Sequence, residues 1–164
     1  FLEITRKFLR KILNEKNKFK KKNIVIDQGC NFWKPISVNK FLKDPKVIQV
    51  LRDPKAIFSS MRTRKSLSYP GNDIKLFVKW FKEIQFFRNK DQEKKTLKIR
   101  FEDFVLKYNF TVNKINNFLS LRKQNSDFDY ENSKNNLYNY KKRLSKNEIK
   151  YINKKLKDYV YFDI

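Results

Sequence analysis

A chain of 164 residues with 40% hydrophobic and 16% aromatic side chains can bury a real core, which excludes a disordered tail. A formal charge of +23 attracts polyanions such as nucleic acid, acidic glycans or nucleotides, yet lysine is spread along the whole chain and most of it reads as background bias. With one cysteine, Cys30, and no histidine, an internal disulfide and a cysteine-based zinc cluster are excluded, and the commonest metal ligand and neutral-pH base are missing.

Taken in chain order, Phe1, Ile4, Phe8, Leu9, Ile12 and Leu13 recur at helical spacing and predict an amphipathic helix over roughly 2–18. Lys20 to Lys22 break the pattern as a solvated connector. Asn23 to Asp27 is a short apolar run of the kind found in buried parallel strands. Pro35 opens a short helix to about Leu42, and Asp44-Pro45 makes a turn before a second buried strand, Lys46 to Leu51. Asp53 and Pro54 read as N-cap and first position of a helix running to about Lys65.

Residues 66–71 then predict a loop. A long helix follows over 73–89, with Ile74, Phe77, Val78, Phe81, Ile84 and Phe86 or Phe87 on its apolar side. Thr96 to Phe101 is a third strand, and short helices fall across 102–108 and 111–120. The polar stretch from Arg122 to Tyr140 has no clear period and predicts a loop. Ser145-Lys146-Asn147-Glu148 is a capping box opening a last helix through about Lys157. Strands alternating with helices predict an α/β class with a parallel sheet, in a single domain over 1–164.

The segment that carries most chemistry is Lys46 to Met61, KVIQVLRDPKAIFSSM: a strand, then Arg52, then a capped helix. Ligands collect at the carboxyl ends of parallel strands, so Arg52 faces the expected site, and the helix start behind it adds free N–H groups and partial positive charge. Arginine also suits phosphate better than lysine, because its planar fork bonds it bidentately. Ser59 and Ser60 follow seven and eight residues after Arg52, so one of them can return to the same face. The same residues also fit an Arg52–Asp53 surface pair with the serines as ordinary polar helix positions.

This run resembles the 3′-phosphate motif of the sulfotransferases that use 3′-phosphoadenosine 5′-phosphosulfate, an Arg-(Asp or Asn)-Pro followed by Ser eight residues after the Arg. The resemblance implies that Arg52 and Ser60 hold the nucleotide's 3′-phosphate. Leu97 to Val105, LKIRFEDFV, is similar to that family's strand ending in aromatic-Glu-Asp, whose aromatic packs on adenine. Phe101 stands where the family commonly has Tyr, and it also fits a core Phe at a strand end. Glu102 and Asp103 read as caps of the next helix.

Asp127 to Lys141, DFDYENSKNNLYNYK, resembles the family's late phosphate loop. Ser133, Lys134 and Asn135 occupy the positions of its Arg-Lys-Gly, with Tyr140 and Lys141 at the closing pair. Some bacterial-type members are similar to Ser-Lys-Asn here, whereas a plain polar loop is the alternative. Phe77 to Lys82 resembles a Trp-containing helix of the same bacterial-type subgroup, with Trp80 read as core. In all, the resemblance spans about residues 22–157.

The family's 5′-phosphosulfate loop has no counterpart, and the two glycines, Gly29 and Gly71, lie in no G-x-x-x-x-G-K-[ST] pattern. The resemblance therefore implies a partial P-loop-type parallel sheet flanked by helices and truncated at its N-terminus. That fits a first residue, Phe1, which reads as the interior of a longer protein. The family's general base lies near the end of the strand before the Arg-bearing one; here Asp27 is the titratable candidate, and it needs a raised pKa to act. The implied reaction is transfer of a sulfuryl group from 3′-phosphoadenosine 5′-phosphosulfate, without a metal, to a hydroxyl or amine of a glycan or small molecule. The chain alone is expected to be inactive.

Two other readings stay open. The charge suits a basic nucleic-acid-binding domain, although no recognition-helix signature or zinc spacing is present. A P-loop kinase relative would also place a strand-Arg-Asp-Pro-helix unit beside phosphates. No apolar run approaches the roughly 20 residues of a membrane span, and residues 1–22 lack the apolar stretch of a signal peptide. A cytoplasmic location is the expectation.

Overall fold

Two five-residue runs, the largely aliphatic Val47–Leu51 (β1) and the alternating Thr96–Arg100 (β2), pair as neighbours in a parallel two-stranded sheet. Parallel neighbours need a long crossover, and here it carries helices α1 (Pro54–Thr63) and α3 (Ile74–Lys90) with a short irregular turn, α2 (Ser68–Gly71), between them. After β2 come α4 (Phe101–Leu106), α5 (Tyr108–Leu119), α6 (Tyr130–Leu137), α7 (Tyr140–Arg143) and α8 (Lys146–Lys155). This computed structural model describes residues 3–5, 7–8, 11–12, 45–63, 68–90, 96–122 and 128–161. Over them the chain is mostly helical with a small parallel sheet, which agrees with the α/β class at that coarse level. The strand expected at 23–27, the helix expected at 35–42 and Asp27 lie outside the described residues.

Two units divide the chain, one of residues 1–47 with 84–96 and one of 48–83 with 97–164. In the first, residues 3–5, 7–8 and 11–12 are helical as their spacing predicts, with an exposed Glu3–Lys7 ion pair at 3.9 Å. Phe86 and Phe87, one of which the spacing predicts on the apolar side of α3, meet each other edge to face at 5.7 Å and are 55% and 41% exposed.

The second unit holds a core built from α1, α3, α7, α8 and the residues after α8. Phe77 of α3 is fully buried and packs against Phe58 at 5.0 Å, Trp80 at 5.8 Å and Phe81 at 5.9 Å. Ile152 and Leu156, one turn apart on and just after α8, close the core, with Tyr140, Leu144 and Val160 around them. Trp80 packs against this cluster, as the sequence predicts. Gly71 permits a close approach of α2 to α1: a Cβ there would stand 2.7 Å from the Met61 Cβ and 2.9 Å from its carbonyl carbon.

Two local expectations change. β1 is not buried on both faces: Val50 is 51% exposed while the polar Gln49 is buried, because among the described residues the sheet has two strands and one covered side. The stretch read as loop before Tyr140 contains α6. Asp129 caps it, its Oδ1 accepting the Asn132 N–H at 2.9 Å, and Lys134 pairs with Glu131 one turn earlier at 2.9 Å. Those polar interactions make a helix without an apolar period. In front of it, Phe128 packs on Phe104 at 4.8 Å and stacks on Tyr108 at 5.8 Å, tying the segment to α4 and α5.

Candidate functional site

β1 ends at Leu51 and α1 begins at Pro54, so Arg52 and Asp53 form the whole connection between strand and helix. Asp53 is the N-cap the sequence predicts: its Oδ1 accepts the Lys55 N–H at 2.7 Å. Its other carboxylate oxygen, Oδ2, accepts the Tyr161 N–H at 2.9 Å and lies 3.3 Å from the Lys55 ammonium. Asp53 and Lys55 are both almost fully buried, and the Lys55 ammonium also sits 5.0 Å above the Tyr140 ring. The Asp53 carboxylate is thus taken by Lys55 and Tyr161, and the surface Arg52–Asp53 pair weighed from the sequence does not form.

Arg52 turns instead to the end of the neighbouring strand. Its guanidinium lies 5.0 Å from the centre of the Phe101 ring, the first residue after β2. Its Nε is buried and has no hydrogen-bond partner among the described residues. Two segments singled out separately in the sequence therefore meet, one through Arg52 and the other through Phe101, at the carboxyl ends of adjacent parallel strands. A ligand lying there would find a cation and an aromatic ring at the start of a ten-residue helix, whose partial positive charge favours an anion.

Glu102 does not cap its own helix, contrary to the expectation. The position before α4 is Arg100, with no side-chain cap, and the Glu102 Oε1 accepts the Asp53 N–H across the sheet at 2.8 Å. Glu102 is buried and its Oε2 has no partner among the described residues. Burial raises the Glu102 carboxyl above the usual glutamate range and the Asp53 charge adds to this; the N–H groups of Asp53 and of Glu102 itself, and the Arg52 charge, only partly offset it. Asp103 likewise bonds away from the helix start, accepting the Tyr161 hydroxyl at 3.1 Å. Arg100 donates to the Tyr159 carbonyl at 3.2 Å, so the residues after α8 are tied to the start of both α1 and α4.

Among the described residues, the other candidates make no recorded contact with Arg52 or Phe101. Ser60 is half-buried on α1, and its hydroxyl makes no hydrogen bond among the described residues; its neighbour Ser59 is buried with an unpartnered Oγ. Ser133 and Lys134 lie on α6, which packs against α4. The Ser133 hydroxyl donates to the Asp129 carbonyl at 3.1 Å, and Lys134 is paired with Glu131. Asn135 belongs to the same helix; its side chain and the whole of Asp27 lie outside the described residues. No group of three or more His, Cys, Asp or Glu side chains arranged to hold a metal occurs among the described residues. No helix of those residues is long and apolar enough to cross a membrane.

Nothing in the sequence singles out Lys55, Tyr161 or the contact of Glu102 with the Asp53 N–H. Lys55 carries no signal that separates it from the other lysines, and Tyr161 is 108 residues from the aspartate it contacts. Compared with known proteins, the chain matches no family model, no curated protein and no solved structure.

Proposed function

We propose that this chain binds the 3′-phosphate and adenine end of 3′-phosphoadenosine 5′-phosphosulfate and contributes that half-site to a sulfuryl transferase. The observation that carries the reading is the Arg52 guanidinium 5.0 Å over Phe101 beside the α1 N-terminus. A phosphate needs a charge-assisted donor, and an adenine needs a flat apolar face; one strand end supplies the first and its neighbour the second. Ser60 is the further hydroxyl donor in this reading. For Ser133 and Lys134 to join, Lys134 must exchange its ion pair with Glu131 for the ligand, which is feasible because that pair is exposed.

No segment of the 164 residues resembles the loop that holds the 5′-phosphosulfate. The proposal for the chain itself is therefore nucleotide binding. Sulfuryl transfer to a hydroxyl or amine acceptor, with Asp27 as its general base, is proposed for a protein that also supplies that loop.

Calorimetry with adenosine 3′,5′-bisphosphate and with adenosine 5′-phosphate tests the reading. The first ligand should bind more tightly. Arg52→Ala should weaken it by roughly 2–4 kcal/mol, the cost of a lost buried charged partner, and Ser60→Ala by about 1 kcal/mol. Neither change should alter binding of the monophosphate. Equal weakening of both ligands would make Arg52 a structural residue. No preference for the 3′-phosphate would favour the kinase-like reading, and tight binding of oligonucleotides that falls steeply with salt would favour the nucleic-acid one.

A further inference from the structure

The sequence assigns Glu102 only to the start of its own helix, yet its carboxylate holds a backbone N–H on the neighbouring strand's connection, 49 residues away. That N–H, of Asp53, belongs to the peptide plane whose carbonyl is Arg52's. Fixing the plane fixes the backbone torsion that sets the direction in which the Arg52 side chain leaves the end of β1. The residue before Glu102 is Phe101, whose ring lies under the Arg52 guanidinium. Two consecutive residues just after β2 thus hold the Arg52 connection: the Phe101 ring lies against the Arg52 guanidinium, and the Glu102 side-chain carboxyl holds the main chain at the Asp53 N–H.

The arrangement is expensive. A glutamate that is 5% exposed, with its carboxyl held by the Asp53 N–H and its own N–H and with Oε2 unpartnered among the described residues, gives up more in desolvation than these contacts return. Such a cost is expected where geometry, not stability, is being maintained.

We infer that Glu102 is a positioning residue for the phosphate-binding arginine: through the Asp53 N–H it orients Arg52 toward the 3′-phosphate. The inference rests on the proposed nucleotide reading, and its readout is a ratio that a merely structural role leaves alone. The ratio is the affinity of the 164-residue chain for adenosine 3′,5′-bisphosphate over that for adenosine 5′-phosphate.

Glu102→Ala removes the acceptor and should reduce the ratio about tenfold, as loss of one charge-assisted contact's geometry would. Glu102→Asp keeps the charge but shortens the reach by one methylene, and should reduce it similarly. Glu102→Gln retains an oxygen for the Asp53 N–H and should keep the ratio within about twofold of the unsubstituted chain. Should the alanine variant fail to fold, the Asp and Gln variants decide alone. A ratio unchanged in Glu102→Asp, or lost as fully in Glu102→Gln, overturns the positioning role. If the ratio is lost in Arg52→Ala but kept in both the Ala and Asp variants, this inference fails and the nucleotide reading stands. If the unsubstituted chain shows no preference for the bisphosphate, the nucleotide reading fails and this role of Glu102 falls with it.

Discussion

At the scale of single residues, Lys55 determines what Arg52 is able to do. A lysine rarely loses its solvent, but this one is 4% exposed, held between the Asp53 carboxylate at 3.3 Å and the Tyr140 ring at 5.0 Å. By occupying Asp53 it leaves the guanidinium of Arg52 to Phe101. Lys55→Met keeps the aliphatic stem and removes the charge, leaving the buried Asp53 with two backbone N–H donors and no cation. Removing one member of a buried ion pair costs roughly 3–5 kcal/mol, and Lys55→Met should lower the unfolding free energy toward the lower end of that range in urea titrations. A variant as stable as the original chain would show that the two N–H donors alone satisfy the aspartate. Nothing local marks Lys55 among 40 lysines and arginines, which is why its burial was not legible in the sequence.

At the scale of elements, the start of α8 is where local rules predict most and are satisfied most fully. The Ser145 Oγ accepts the Glu148 N–H at 3.2 Å, and the Glu148 Oε2 accepts the Ser145 N–H at 2.7 Å, completing the capping box read from four residues. The structure adds Arg62, which reaches Glu148 from α1 at 2.6 Å. Burial would push the Glu148 carboxyl up, but the Ser145 N–H and hydroxyl and the Arg62 charge together hold it below the usual glutamate range. A carboxyl depressed in the folded state stabilises fully above its unfolded value of about 4.3, and that contribution disappears as pH falls through the lower folded value. Thermal unfolding between neutral and acidic pH should therefore show a stability loss that Glu148→Gln flattens. Ser145→Ala should cost about 1 kcal/mol at neutral pH. An equally steep acid loss in the Gln variant would assign it to other carboxylates. By contrast the sequence of α6 predicts loop, because its Asp129 cap and Glu131–Lys134 pair stabilise a helix in which, among the side chains described, only Leu137 is buried. Periodicity alone does not detect such a helix.

At the scale of the whole molecule, the +23 charge opposes compaction wherever it is unscreened. Raising salt from about 10 mM to about 150 mM shortens the screening length from roughly 30 Å to 8 Å and should raise the melting temperature of this chain. A melting temperature that falls instead would mean that ion pairs such as Arg62–Glu148 outweigh the repulsion. Nucleotide binding through one arginine should weaken only modestly over the same range, whereas a polyanion contacting many lysines should lose affinity steeply. Titrating both ligand types against salt separates the binding site from the charge background.

Features that depend on neighbours within a few residues are legible in the amino-acid order alone. They include the β1–Arg52–Asp53–Pro54–α1 junction, the α3 stripe of Phe77, Val78 and Phe81, and the Ser145 cap, since backbone preference, side-chain period and capping act at that range. Features that depend on contacts between segments far apart in the chain emerge with the folded core. It brings Arg52 to Phe101, turns Glu102 from its own helix to the Asp53 N–H 49 residues away, and lays Tyr161 on Asp53 across 108. The physical reason is that a buried polar group must find a partner wherever packing provides one, and packing is a property of the assembled core.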